Sequence, residues 1–404
     1  MQPLQGIKVL EWATWLSGPM AATVLGDMGA EVIKIEQTDT GDPLRGLMIY
    51  GKWALADGRH ALFEAYNRNK RGVVIDLKKE KGREIAYQLV KWADVFVHNY
   101  PRDTASKLGL DYQTLCELNP RLIYATASSY GWKGPDKDLR AYDLAGMARS
   151  GHMMALSELG GGEPQSGVIG IADQAAAFTL SHGILAALLA RERLGIAQEI
   201  DTSLLGSMIY LQHYATSYSL FSNREPFRVG LRSEPVVNPL LHWYKCKDDK
   251  WIATIMVQPD PYWPDFCRAL GISELEEDPK FDSISSRGQN RAELTSILEG
   301  IFATKTREEW TEILRVSGIP YCPVNSFLDL PSDPQVVEND YIIEFSHPSL
   351  GPVKLTGFPV SFSKTPFSMR REAPRYGQHT EEVLQEVLGL SWEEIGQLKN
   401  EGVL

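Results

Sequence analysis

Short apolar runs alternate with helix-like segments over roughly the first third of the chain, and this alternation limits the fold more than any other feature. Ile7–Trp12, Ala30–Glu36, Gly72–Leu77, Asp94–His98 and Leu122–Ala127 read as strands. Gly18–Gly29 and Lys78–Ala93 read as helices, the second with Ile85, Leu89, Val90 and Trp92 on its apolar side. Strands that are apolar throughout and separated by helices must be covered on both faces, which means a parallel sheet in an α/β fold. Such sheets bind ligands in the loops beyond the carboxyl ends of their strands. The loop after the first strand, Ala13 to Met20, lacks the GxGxxG fingerprint, so a NAD or FAD enzyme is not expected.

The texture changes further along. Ala172 to Ala190 reads as a long small-residue helix, and Asp201 to Tyr218 as another. A Pro/Gly/Arg-rich connector, 223–235, leads to a hairpin pattern in which Leu241–Cys246 and Trp251–Val257 flank Lys247-Asp-Asp-Lys250. Helical patterns follow at Trp263–Leu270, Arg291–Phe302 and Arg307–Val316. The tail returns through strands at Tyr341–Phe345 and Val353–Thr356 to a helix near Thr380. The expected division is 1–224 for a large domain, 225–325 for a small α+β domain, and 326–404 for a segment returning to the large one. A length of 404 residues fits two cores better than one.

The net charge of −11 argues against nucleic acid or an anionic membrane as partner. Cys116, Cys246, Cys267 and Cys322 are far apart and form no CxxC pair, so neither a disulfide framework nor a metal site is expected. The N-terminus lacks a basic-then-apolar signal pattern, and no uninterrupted apolar run approaches the roughly 20 residues of a membrane span. The expectation is a cytoplasmic protein with no membrane partner.

One carboxylate stands out. Asp173 sits where an apolar approach, 167–172, meets the long helix. Read plainly it is an N-cap, whose side chain accepts an N–H of the first turn. The same position also suits a nucleophile, a carboxylate kept ionised by the helix dipole against an apolar wall.

Several stretches together resemble the class III coenzyme A transferases, a family that also contains 2-methylacyl-CoA racemases. They are Gly6-Ile-Lys-Val-Leu-Glu11, Ser17-Gly-Pro19, Leu25 to Glu36, Gly41-Asp-Pro-Leu-Arg45, Asn67-Arg-Asn-Lys-Arg71, His98-Asn-Tyr100 and Leu118 to Ile123. Gly318 to Asn325, Asp333-Pro-Gln-Val336, His347 to Gly351 and Gly377 to Leu384 continue the series over nearly the whole chain. The resemblance implies a Rossmann-like large domain, a smaller domain and an interlocked homodimer. It also implies coenzyme A as co-substrate, no metal, and Asp173 as the catalytic residue.

For the CoA contacts, the resemblance places Trp15 and Leu16 at the acyl end and Lys70 and Arg71 near the phosphates. It places Asn99 and Tyr100 in the nucleotide pocket, Lys107 and Leu108 beside the adenine and its phosphate, and Arg140 as a further basic contact. Tyr142 and Leu204 complete the set. Two family features are not matched. Gln37-Thr-Asp39 stands where some members carry Arg, and the connector offers Gly230 alone where oxalate-using members have a run of glycines.

Racemisation beside a thioester requires acid–base groups on both faces, and the family's racemases pair His with the Asp. Here Tyr142 occupies the His position, and a phenol with a reference pKa of about 10 is a poor base near neutrality. His152, the nearest replacement, is read as structural. A transferase is therefore expected, with a racemase or a non-catalytic CoA-binding homologue as alternatives. Leu16, Trp15, Trp12, Met48, Tyr50 and Trp53 would make an apolar wall, which favours a hydrophobic or aromatic (2-hydroxy) acid as acceptor.

Overall fold

A computed structural model describes residues 1–46, 54–157, 162–226 and 238–404. Met48, Tyr50, Trp53 and Gly230 lie outside the described residues. The chain divides into two compact units: Met1–Leu156 with Gln165–Ser217 and Val337–Leu404, and Ser157–Pro164 with Tyr218–Val336. The second unit's main span thus begins before, and ends after, the 225–325 expected from sequence.

The first unit is built on a six-stranded sheet of β1 (Lys8–Trp12), β2 (Glu31–Glu36), β3 (Lys70–Val74), β4 (Val95–His98), β5 (Ile123–Ser128) and β6 (Glu199–Ser203). The strands run in the order β3-β2-β1-β4-β5-β6 and every pairing is parallel. This is the strand order of doubly wound folds, with its switch point between β1 and β4. Alternate side chains enter opposite faces. Leu10, Ile33, Val73 and Phe96 pack with Leu89 of the Glu80–Trp92 helix and with Val383 and Ile395 of the two C-terminal helices. Val9, Val32, Val95 and Ile123 pack on the other face with the Ser17–Asp27 and Ile171–Leu194 helices.

The Ile171–Leu194 helix is long and apolar enough to cross a membrane by length and composition. Its Ala177, Leu180, Ile184 and Ala187 instead cover the sheet.

The sequence reading assigned Asp201 to a helix, and here it fails. Glu199–Ser203 is the sixth strand, and the helix begins at Leu204 with the Ser203 hydroxyl accepting the Gly206 N–H. The strand is polar because Asp201 accepts hydrogen bonds from the hydroxyls of Thr126 (2.6 Å) and Ser128 (3.0 Å) on β5. Tertiary pairing, not apolar alternation, makes it a strand.

The second unit carries a three-stranded antiparallel sheet of β7 (Leu241–Lys245), β8 (Trp251–Ile255) and β9 (Tyr321–Val324). Its core joins Tyr244 and Ile252 to Phe266, Phe302, Trp310 and Leu314 from three helices. Two further strands, β10 (Ile342–His347) and β11 (Gly351–Thr356), form a hairpin in the first unit.

Candidate active site

The site is set by how one helix begins. Gly170 is the N-cap residue of the Ile171–Leu194 helix, at φ 97° with no side-chain cap. That conformation is open to glycine and strained for other residues. Asp173 is the third residue of the helix, so it does not cap it. Capping comes from Asp143, the first residue of the Asp143–Arg149 helix. One Asp143 oxygen accepts the Gly170 N–H at 2.7 Å, and the other accepts those of Ala172 (2.7 Å) and Asp173 (3.1 Å). The N–H groups of the first turn, which have no partner within the helix, are thereby satisfied by a carboxylate from elsewhere in the sequence. Asp173 keeps its own carboxylate free of that duty, which overturns its reading as a cap.

The Asp173 carboxylate is partly buried, and burial raises its pKa from 3.8 to about 7. The negative charge of Asp143 adds to the rise, and a hydrogen bond from the Ser17 hydroxyl opposes it. Desolvation and like charge therefore outweigh the helix dipole here, and the residue is not firmly ionised at neutrality as sequence suggested. A carboxylate whose pKa lies near the working pH is more basic than a free one, and so a stronger nucleophile when deprotonated.

Ser17 opens the Ser17–Asp27 helix and sits at the end of the β1 loop. Asn99, just past β4, clamps that loop. Its amide donates to the Thr14 carbonyl (2.7 Å) and to the Ser17 hydroxyl (3.3 Å), and its oxygen accepts the Thr14 N–H (3.0 Å). Gly18 allows this approach, since a Cβ there would meet that of Ala13 at 2.6 Å. Trp15 holds φ 64°, rare for a bulky residue, and its ring meets that of Tyr142 edge-on at 5.8 Å. Leu16 lies beside Gly170, within 3.6 Å of where a Cβ would stand. Trp15, Leu16, Leu62 and Tyr66 pack around buried Leu44 and Phe63, forming an apolar wall next to the helix start. Tyr66 has its pKa raised by burial first and then by the negative charges of Asp173 and Asp143.

The site is thus a partly buried carboxylate beyond the carboxyl ends of a parallel sheet, flanked by an apolar wall. The profile described as CoA-transferase family III matches residues 4–380. The chain belongs to CoA-transferase family III. Cinnamoyl-CoA:phenyllactate CoA-transferase of Clostridium sporogenes is 34% identical over 98% of this chain and 96% of that protein. Succinyl-CoA:glutarate CoA-transferase of Mus musculus is 32% identical over 100% of this chain and 91% of that protein. The crystal structure of a CAIB/BAIF family protein from Brucella suis superposes with a TM-score of 0.85 at 30% identity, covering 96% of this chain and 99% of that one.

In this family III CoA-transferase the expected CoA contacts fall into three groups. Trp15, Leu16, Asn99 and Tyr142 gather around the Ser17 loop and the Asp173 helix start. Tyr100 stacks on Trp12 at 4.2 Å, and Trp12 itself is buried among Phe96 and His98, so Trp12 is core and not acyl wall.

Lys107 and Arg140 are exposed. Lys107 pairs with Asp103 at 3.2 Å, a surface pair weak enough to yield to a phosphate. Leu108 packs on the sheet core.

Lys70, Arg71 and Leu204 lie apart from both groups. Successive residues of β3 point to opposite faces. Lys70 is fully buried on Glu11, and Arg71 is held by Glu31, Glu382 and Glu386. Neither cation is free for a phosphate. Leu204 is buried with Met147, Ala172 and Met208 behind the Asp173 helix. Asp143, Ser17 and Tyr66 were not singled out from sequence; Asp143 directly follows Tyr142, but only its partners reveal its task.

Proposed function

We propose that this CoA-transferase moves CoA from an acyl-CoA to a free carboxylic acid with a hydrophobic or aromatic body, through covalent intermediates on Asp173. The observation that carries the reading is the Asp173 carboxylate, partly buried at a helix start whose capping is done by Asp143.

In the first step an Asp173 oxygen attacks the thioester carbonyl and expels CoA thiolate, leaving a mixed anhydride. The thiolate then attacks the Asp173 carbonyl, expels the donor acid as carboxylate and leaves an aspartyl-CoA thioester. The acceptor carboxylate opens that thioester to a second anhydride, again releasing thiolate. Attack of the thiolate on the acceptor's acyl carbon forms the new acyl-CoA and restores Asp173. Every carrier is an activated acyl group, so little transfer potential is lost at any step. The Ser17 hydroxyl is placed to hold the Asp173 oxygen that is not attacking. The wall of Leu16, Phe63 and Tyr66 keeps water from the anhydrides.

Two relatives are named for phenyllactate and for glutarate, so kinship leaves the acid open. The proposal of a hydrophobic acceptor rests on Leu16 and its apolar neighbours. Leu16→Gln should lower kcat/KM for aromatic or branched acids by about tenfold relative to small polar ones, because it sets an unpartnered amide against an apolar body. Equal losses across a panel of acids would remove Leu16 from the acyl site. A racemase is disfavoured because Tyr142 is largely exposed and His152 is bonded to the Gln212 amide (3.2 Å).

The raised pKa of Asp173 gives a pH signature. The nucleophile must be deprotonated, so kcat/KM should fall as pH drops below about 7, the midpoint belonging to Asp173. An ordinary carboxylate would keep full activity down to about pH 5. A flat kcat/KM between pH 5 and 8 would contradict the proposal.

The interlocked homodimer is proposed as well. Within the first unit, the helices Leu204–Leu211 and His213–Ser222 expose Tyr210, Leu211 and Tyr214. So large an apolar exposure marks a contact surface. Sedimentation should give about twice the chain mass of 45.2 kDa at micromolar concentration. A monomer would refute the dimer.

A further inference from the structure

Four acidic and basic side chains are sealed beneath the loop that carries Ser17. Glu11 comes from β1, Lys34 from β2, Lys70 from β3 and Asp42 from the turn after β2, and all four side chains are fully buried. Lys34 meets Glu11 at 2.8 Å and Asp42 at 2.9 Å, and Lys70 meets Glu11 at 2.7 Å. Two cations and two anions balance.

What distinguishes the cluster is where its remaining hydrogen bonds go. Lys34 donates to the Ala13 carbonyl at 2.8 Å, at the start of the loop. Lys70 donates to the Pro19 carbonyl at 2.8 Å, at its end, and to the Tyr66 carbonyl at 2.9 Å. Asp42 accepts the Trp15 N–H at 3.3 Å in the middle, and that of Leu44 at 3.0 Å. Both ends and the centre of residues 13–19 are thus tied to one buried group of charges. Trp15 at φ 64° is the kind of backbone conformation that persists only when its surroundings over-determine it.

Stability alone does not explain such a cluster, because buried ion pairs can often be replaced by apolar side chains at no cost. We infer that Glu11, Lys34, Asp42 and Lys70 are positioning residues that fix the Trp15–Ser17 loop and so set the Ser17 hydroxyl against the Asp173 carboxylate. The inference rests on Asp173 being the nucleophile. None of the four touches substrate; they act through the loop. Asp42 is the member whose loss is most specific, since it alone holds Trp15.

The test is a cycle of Asp42→Asn, Ser17→Ala and the double variant, reading kcat, KM for acyl-CoA and the pH midpoint of kcat/KM. Asp42→Asn leaves Lys34 with excess charge, so Lys34→Met/Asp42→Asn, which restores neutrality, is the second variant. Each should lower kcat on the order of 10- to 100-fold, with KM for acyl-CoA changed less than about threefold. Each should also move the pH midpoint upward, as Ser17→Ala does, because the hydroxyl bond that lowers the Asp173 pKa is weakened. Combining Asp42→Asn with Ser17→Ala should move it no further than Ser17→Ala alone. A midpoint that stays in place, or shifts that add, would overturn the inference, and so would a kcat loss matched by lost folded protein in both variants. Asp173→Asn is assayed alongside. Turnover retained there defeats the nucleophile itself, whereas turnover abolished there with an unmoved midpoint in Asp42→Asn defeats only the positioning role.

Discussion

Asp173→Asn should reduce turnover by several orders of magnitude while leaving the protein folded and able to bind CoA. An amide cannot form the anhydride, and the neighbouring carboxylate among the described residues, Asp143, is engaged by three backbone N–H groups. The variant should also be more stable than the parent at pH 8. The folded-state pKa of Asp173 is about 7 against 3.8 when unfolded, so the native state binds the proton more tightly. Stability from this group is present in full below about pH 4 and is lost as pH rises through 7. Removing the ionisable group lifts that loss, by on the order of 2–4 kcal/mol at pH 8 and by nothing near pH 3. Thermal melts of both proteins at the two pH values would show it. An equal Tm difference at both would mean that Asp173 is not desolvated.

Asp143→Ala should have the second largest effect, and it should be of the opposite kind. It strips three N–H groups at the helix start of their acceptor, each worth about 1–3 kcal/mol if left buried and unpaired. Loss of several kcal/mol and a frayed first turn are expected, with Asp173 displaced. Asp143→Asn is the informative companion. It keeps an acceptor oxygen and removes the negative charge, so the Asp173 carboxylate becomes easier to ionise and the pH midpoint of kcat/KM should move down. A midpoint that moves up would contradict the assigned geometry.

The legible parts of this molecule are those governed by local pattern. Val9–Leu10, Val32–Ile33 and Val95–Phe96 are apolar on both sides because both faces of the sheet are covered, and that reads directly from the residues. The polar strand Glu199–Ser203 was missed because Asp201 is made tolerable by Thr126 and Ser128, which lie on another strand.

The site follows the same division. Asp173 stood out at a helix start, but its cap lies 30 residues away in Asp143. Lys70 and Arg71 look like a phosphate pair in sequence. Adjacent on β3, they face opposite sides of the sheet, one toward Glu11 and the other toward Glu31, Glu382 and Glu386. Charge in a sequence is free; charge in a fold depends on what the chain brings to it. Trp12 is the apolar counterpart, an aromatic taken from the expected acyl wall by stacking on Tyr100.

The claim on which the rest depends is that Asp173 becomes covalently acylated during turnover. Hydroxylamine added to the enzyme with an acyl-CoA should intercept the anhydride or the aspartyl thioester, and peptide mass spectrometry should then find a hydroxamate on Asp173, dependent on the acyl-CoA. A modified peptide that does not contain Asp173, or turnover that proceeds at full rate in hydroxylamine with Asp173 unmodified, would contradict the account.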